Sequence, residues 1–242
     1  MMLFQDRLDA GRKLAQRLHQ FKSQKTVVLG IPRGGVVVAE PIADALEAPL
    51  YALIVRKIGA PANEEVALGA VSVDEKPVWN AQAMRILQPD AEWLEEKVRQ
   101  KVEEVRQRKK AFGFSQLPPL SGMTAIVVDD GVATGASFEA ALGWLEMQKP
   151  RKIVAAMACA PTDTADRLRR QVDGWICLVE SPDFRAVGQF YSDFQEVSDD
   201  EVKRILHAQR RGNPEDITSP RRTCVAPQIS QNLGGRETEG GT

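Results

Sequence analysis

The residues from Ala125 to Ser137 read AIVVDDGVATGAS. A short apolar run of the kind that forms a strand buried on both faces ends in two adjacent carboxylates, Asp129 and Asp130. Neighbouring aspartates at the end of a buried strand repel each other, and burying them without partners is costly. Side by side they suit the cis hydroxyls of a ribose, each carboxylate accepting a hydrogen bond, with a divalent cation nearby to offset their charge. The residues that follow, Ala133, Thr134, Gly135, Ala136 and Ser137, supply backbone N–H groups, two hydroxyls and a helix N-terminus. That combination is a phosphate cradle. The stretch is not the GxGxxG dinucleotide fingerprint, and it lacks the lysine of a GxxxxGK[ST] loop.

Outward from this stretch, strands and helices alternate. An amphipathic helix is expected over Asp6–Phe21, a buried strand over Thr26–Gly30, a helix over Gly35–Leu46 and a second buried strand over Pro49–Lys57. Gly59, Pro61 and Asn63 give Ile58–Ala67 the look of a loop, and Leu68–Val73 with Pro77–Asn80 that of a small antiparallel pair. A long charged helix is expected over Pro89–Lys110, with Leu94, Val98, Val102 and Val105 on one face. Its basic end, Arg106, Arg108, Lys109 and Lys110, is accounted for by the helix dipole. Strand Thr124–Asp129, helix Gly135–Met147, strand Lys152–Ala158, helix Thr164–Val172 and strand Gly174–Glu180 complete a second alternating set. The pattern predicts an α/β fold, a doubly wound and mostly parallel sheet with helices on both faces. A last helix is expected over Ser198–Arg211, and Gly212–Thr242 reads as a polar, disordered tail.

In such a sheet, ligands bind beyond the carboxyl ends of the strands. Two further strand ends carry unusual residues. In GIPRGGVVVA (Gly30–Ala39), Gly34 and Gly35 let the backbone approach a ligand and Arg33 offers a fork for phosphate oxygens. In VRKIGAPANEEVALGAV (Val55–Val71), Arg56 and Lys57 stop a buried strand with two positive charges, a poor core choice but a good anion site. After the last strand, DFRAVGQFYSDFQEV (Asp183–Val197) concentrates Phe184, Phe190, Tyr191 and Phe194 in a chain that is only 6% aromatic.

Together VVDDGVATGAS and GIPRGG resemble the PRPP-binding and pyrophosphate motifs of type I phosphoribosyltransferases, a likeness that spans about Thr26 to Glu180. The resemblance implies that Asp129 and Asp130 take the ribose diol and Ala133–Ser137 the 5′-phosphate. Arg33, Gly34 and Gly35 would face the diphosphate, which Arg56 or Lys57 would also reach, without a choice between the two. The residues after Lys57 stand where the family carries a mobile lid. It further implies a small hood over about 181–211, with Phe184 and Val187 near the acceptor base, since AVGQFYSDF is loosely similar to the V-G-…-D segment of hypoxanthine-type members. Ser137 stands where Thr is more common. Ala133 stands where several purine members carry an Asp, which weakens any copy of their general-base chemistry. With FQDRLDAGRKLAQRL at its start, the whole chain looks like a bacterial group whose acceptor is unsettled.

The reaction implied is displacement of pyrophosphate from Mg-PRPP by a nitrogenous, purine-like or other acceptor, with Mg²⁺ held indirectly at Asp129 and Asp130. The alternative is a PRPP- or nucleotide-sensing regulator without turnover. A single domain over 1–211, with its core over about 26–180, is expected, and the oligomeric state stays open because dimers are common in the family.

Bulk properties agree with this reading. The 242 residues carry 32 basic and 33 acidic side chains, a net charge of −1, which argues against nucleic-acid or membrane binding through bulk charge. No signal peptide is expected in MMLFQDRLDAGRKLAQRL, and IVAAMACA is too short to span a bilayer. Cys159, Cys177 and Cys224 are odd in number and lack CxxC spacing, so a reducing cytoplasm without disulfides or a zinc site is expected. His19 and His207 fall in helix-like sequence near charged residues and are expected on the surface.

Overall fold

The computed structural model describes residues 3–61, 63–113 and 116–211. The tail expected from Gly212 lies outside the described residues. Helix α1 (Arg7–Leu18) starts at Asp6, whose carboxylate accepts the backbone N–H of Asp9 at 2.7 Å. It buries Ala10, Leu14 and Leu18 at helical spacing. A 3-10 turn, His19–Phe21, leads into β1 (Thr26–Gly30), buried along its whole length. Helix α2 (Gly34–Leu46), β2 (Leu50–Ala52), β6 (Thr124–Asp129), α5 (Ala136–Met147), β7 (Lys152–Pro161), α6 (Thr162–Arg169) and β8 (Gly174–Ser181) build the rest of the main layer.

The main sheet has five parallel strands in the order β2-β1-β6-β7-β8. From β1 the chain steps one way to β2, and from β6 it steps the other way through β7 to β8. With right-handed crossovers, α2 covers one face and α5 and α6 the other. Helix α1 packs on α2 and reaches β7 and β8. The order reverses between β1 and β6, so the crevice of the fold opens where Gly30 and Asp129 end their strands.

Two expectations need correction. The apolar run Pro49–Lys57 is not one strand. Strand β2 ends at Ala52, and Leu53, whose N–H still donates to the Gly30 carbonyl at 2.9 Å, and Ile54 cross the core to a second sheet, 0% and 1% exposed. Hydrophobicity marks burial, not sheet membership. The buried Ser72 hydroxyl donates to the Ile54 carbonyl at 2.8 Å, satisfying the backbone at that crossing. The expected loop at Ile58–Ala67 is instead mostly a hairpin: β3 (Arg56–Ala60) pairs antiparallel with β4 (Asn63–Val71), which pairs with β5 (Pro77–Trp79). Its turn-forming residues mark the hairpin tip and a bulge at Ile58–Ala60, not a missing strand.

Helix α3 (Ala81–Leu87), which periodicity did not reveal, is capped by Asn80 Oδ1, an acceptor from the Gln82 and Ala83 N–H groups. Helix α4 (Ala91–Ala111) and α5 flank the small sheet. Helix α7 (Asp199–Arg211) packs on α2, α4 and β2. His19 and His207 are exposed, and no described helix is long and apolar enough to cross a membrane.

The core depends on β1 and β6 lying fully inside. Leu29→Ala, at a position with no exposed surface, is expected to cost about 2–5 kcal/mol. A lower urea midpoint at unchanged slope is the corresponding observation.

Candidate functional site

The two motifs meet at the crevice. A Cβ placed on Gly34 would lie 1.9 Å from Asp130 Oδ2, and one on Gly35 would lie 2.5 Å from the Val128 carbonyl. Only glycines allow the Pro32–Gly35 turn to press against the end of β6. Ile31 N–H donates to the Val128 carbonyl at 2.9 Å and extends that contact. Arg33 stands at the N-terminus of α2, with its guanidinium on Glu196 and, at 3.7 Å, on Asp199.

Asp130 has a partner that no motif disclosed. Arg7 Nε donates to Asp130 Oδ2 at 2.7 Å, with the two side chains only 11% and 14% exposed. The same guanidinium donates to the Gln195 carbonyl at 2.7 Å and lies 3.8 Å over the Phe194 ring. Arg7 opens α1, where a cation opposes the helix dipole, and that misplacement was the available signal. The Asp130 carbonyl accepts the Tyr191 hydroxyl at 2.6 Å. Burial, then the Asp130 charge, push the Tyr191 phenol upward, so it stays a donor. Burial likewise keeps Cys159 a thiol, 3.8 Å from the same carbonyl.

Asp129 is treated differently. Burial first and the neighbouring Asp130 charge second push its carboxyl well above the ordinary carboxylate range. The Asp130 N–H, donating to Asp129 Oδ1 at 2.9 Å, and the more distant Arg7 oppose the shift. One carboxylate of the pair is neutralised by the fold and the other is left wanting a positive charge. Among the described residues no cluster of three or more ligating side chains forms a metal cage. A pair of carboxylates of this kind fits Mg²⁺, which commonly takes one or two protein carboxylates together with substrate oxygens.

The small-residue loop leads from Asp130 into α5. Gly135 caps the helix with φ 78°, a left-handed conformation in which a side chain is strained. The Ala133 carbonyl accepts the Thr164 hydroxyl at 3.0 Å, and the Thr134 carbonyl accepts Arg167 Nη2. Arg167 is itself held by Glu139 at 2.8 Å. With these carbonyls turned to α6, trans peptide geometry points the N–H groups of Thr134 and Gly135 the other way. Ala136 follows as the first residue of α5, and the Thr134 and Ser137 side chains are exposed.

A cleft of about 670 Å³ opens beside this loop, between Thr134, Pro161, Asp163, Arg167 and Phe184. Phe184 is braced by Phe190, with ring centroids 5.5 Å apart. Val187 packs against Gly131 and is not among the residues lining the cleft.

Of the paired cations on β3, Arg56 shares a small cavity with Arg33, and Lys57 is not among its lining residues. Strand alternation sends the two side chains to opposite faces.

A phosphoribosyl transferase domain model matches residues 3–195. The chain belongs to the phosphoribosyl transferase family. TT1426 of Thermus thermophilus, a solved structure, is 39% identical with a TM-score of 0.80, covering 86% of this chain and 99% of that one. Two Mycobacterium tuberculosis proteins provisionally named phosphoribosyl transferases, from strains CDC 1551 and H37Rv, are each 42% identical over 213 residues. The match covers 87% of this chain and 48% of each relative, so the chain spans about half the length of those curated relatives.

The raised Asp129 carboxyl has a sign that can be tested. An acid whose folded value lies above its unfolded value costs stability once pH exceeds the unfolded value. Asp129→Asn is therefore expected to be more stable than the native protein at neutral pH. The gain shrinks as pH falls below the raised folded value and vanishes below about 3.9, the unfolded aspartate value. Urea midpoints of the two proteins across that range make the comparison.

Proposed function

We propose that this protein binds Mg-PRPP and transfers its phosphoribosyl group to a nitrogenous acceptor, releasing pyrophosphate. The observation that carries the reading is the convergence of three ligand-facing elements on one switch point: the Asp129–Asp130 pair, the Ala133–Ser137 cradle and the Arg33 turn, with Gly34 packed against the Asp130 carboxylate.

Asp129 and Asp130 accept the ribose hydroxyls. An ionised carboxylate has about four acceptor sites, so a hydroxyl can join Arg7 at Asp130 without displacing it. Backbone N–H groups of the Ala133–Ser137 loop, with the Thr134 and Ser137 hydroxyls, hold the 5′-phosphate at the start of α5. Arg33 and Arg56 hold the diphosphate on the opposite side. Asp129 and Asp130 would hold Mg²⁺ together with substrate oxygens, and the ion supplies charge neutralisation for the departing diphosphate.

The acceptor lies in the cleft against Phe184, and its nitrogen forms the new bond to C1 as the bond from C1 to the diphosphate oxygen breaks. The transition state is oxocarbenium-like, so the protein orients the reactants and stabilises separating charge without a covalent nucleophile. Position 133 offers no carboxylate to the acceptor. Asp163, across the cleft, is the lining carboxylate able to take the proton that the nitrogen loses.

Calorimetric titration with PRPP, with and without Mg²⁺, tests the donor site, and pyrophosphate release over a panel of heterocyclic acceptors tests turnover. Binding without release from any acceptor would favour the sensing alternative. Asp129→Asn combined with Asp130→Asn is expected to abolish Mg-PRPP binding while the circular dichroism spectrum stays native. Unchanged affinity in the double variant would end the ribose assignment.

A further inference from the structure

The cavity shared by Arg33 and Arg56 has a third cationic wall. Its lining is Pro32, Arg33, Ile54, Arg56, Arg108 and Phe112, and its volume is about 90 Å³. At roughly 30 Å³ per water, it has room for about three waters, the scale of one phosphate group and far below that of a nucleobase. Three arginines, from the N-cap of α2, from β3 and from α4, thus line one small space. Such an arrangement is unfavourable by itself: burial, and then Arg108, push the ionisation of Arg56 downward, with Glu104 opposing at 3.2 Å.

The fold offsets the remaining charge from its other end. Arg108 Nη1 donates to both oxygens of Asp199, at 2.8 and 3.1 Å, and the same carboxylate lies 3.7 Å from Arg33 Nη1. Glu196 completes the pairing of Arg33. One carboxylate at the start of α7 therefore bridges two guanidinium groups, as two oxygens of a phosphate would. Its side chain is 39% exposed and that of Glu196 is 79% exposed. Exposed ion pairs of this kind are weak and readily exchanged for a stronger anion.

We propose that Arg108 is a substrate-binding residue, the third guanidinium of a diphosphate site with Arg33 and Arg56, and that Asp199 is the internal carboxylate the diphosphate displaces. The inference rests on the diphosphate reading of the Arg33 turn. It gives the basic end of α4 a role beyond favouring the helix dipole. It also makes α7 responsive to ligand, because an anion that takes Arg108 and Arg33 frees Asp199.

The test is calorimetric titration of the full chain with magnesium pyrophosphate and, separately, with ribose 5-phosphate. Arg108→Gln is expected to weaken pyrophosphate binding by about tenfold or more, the worth of a charge-assisted contact, while ribose 5-phosphate affinity is unchanged. Asp199→Asn is expected to tighten pyrophosphate binding, since the competing charge is gone. Native pyrophosphate affinity in the Arg108 variant would overturn the proposal and leave the donor reading intact. Ribose 5-phosphate binding without pyrophosphate binding by the native protein would sink the diphosphate site itself. If Arg108→Gln loosens the α4–α7 contact enough to unfold the protein, Asp199→Asn decides: tighter binding supports the exchange, and unchanged or weaker binding overturns it.

Discussion

The ion pair between Arg7 and Asp130 is the contact on which the arrangement of this site depends. Ionised side chains this far from water lose several kcal/mol of hydration each, and they stay charged only with close, well-directed partners. Arg7 provides that partner from the first helical residue of the chain. Its position is fixed in turn by the Phe194 ring and the Gln195 carbonyl. Tyr191 holds the next link, the Asp130 carbonyl. The helix that opens the chain, the end of a central strand and the segment after the last strand are therefore a single electrostatic unit. Burial and the Asp130 charge beside it leave the adjacent Asp129 a site of unmet demand for positive charge.

Around that unit the molecule divides its tasks. The five-stranded sheet gives a rigid platform, and its switch point brings the Arg33 turn against the Asp129–Asp130 end. The three-stranded sheet is joined to it through Leu53–Val55 and carries Arg56 to the far side of the same turn. Helix α4 adds Arg108, and α7 adds Asp199, the carboxylate that balances it. The positive groups, Arg33 and Arg108, thus precede in sequence the Asp199 carboxylate that balances them, which lets distant segments hold each other in place.

Much of this was legible in the residues. Strands β1 and β6 match the Thr26–Gly30 and Thr124–Asp129 readings residue for residue, because runs such as TVVLG and AIVVD are buried on both faces and leave no competing period. The hairpin was missed because Gly59, Pro61 and Asn63 punctuate turns whether or not strands flank them. The division of Pro49–Lys57 was missed because a continuous apolar run cannot report which sheet receives it. In the candidate site, DDGVATGAS and GIPRGG announced themselves by pattern. Arg7, Arg108 and Asp199 did not, since each looks like an ordinary helix charge until the fold brings partners 91 to 188 residues away against it.

The pairing of residues 3–5 with residues 190–193 also sets an order of assembly. Leu3 and Phe4 donate their N–H groups to the Phe190 carbonyl, and Ser192 and Asp193 return bonds to the Phe4 and Gln5 carbonyls. During synthesis, residues 3–7 precede their partners, which leave the ribosome only after nearly two hundred more residues have been added. At about 5–20 residues per second, that is a wait of roughly ten to forty seconds. The parallel strands in between can begin to pair earlier, with Asp130 exposed to solvent and unneutralised. The ligand-facing crevice is thus among the last parts of the molecule to mature, and a nascent chain arrested before Phe190 would hold both motifs without the contacts that set their charges.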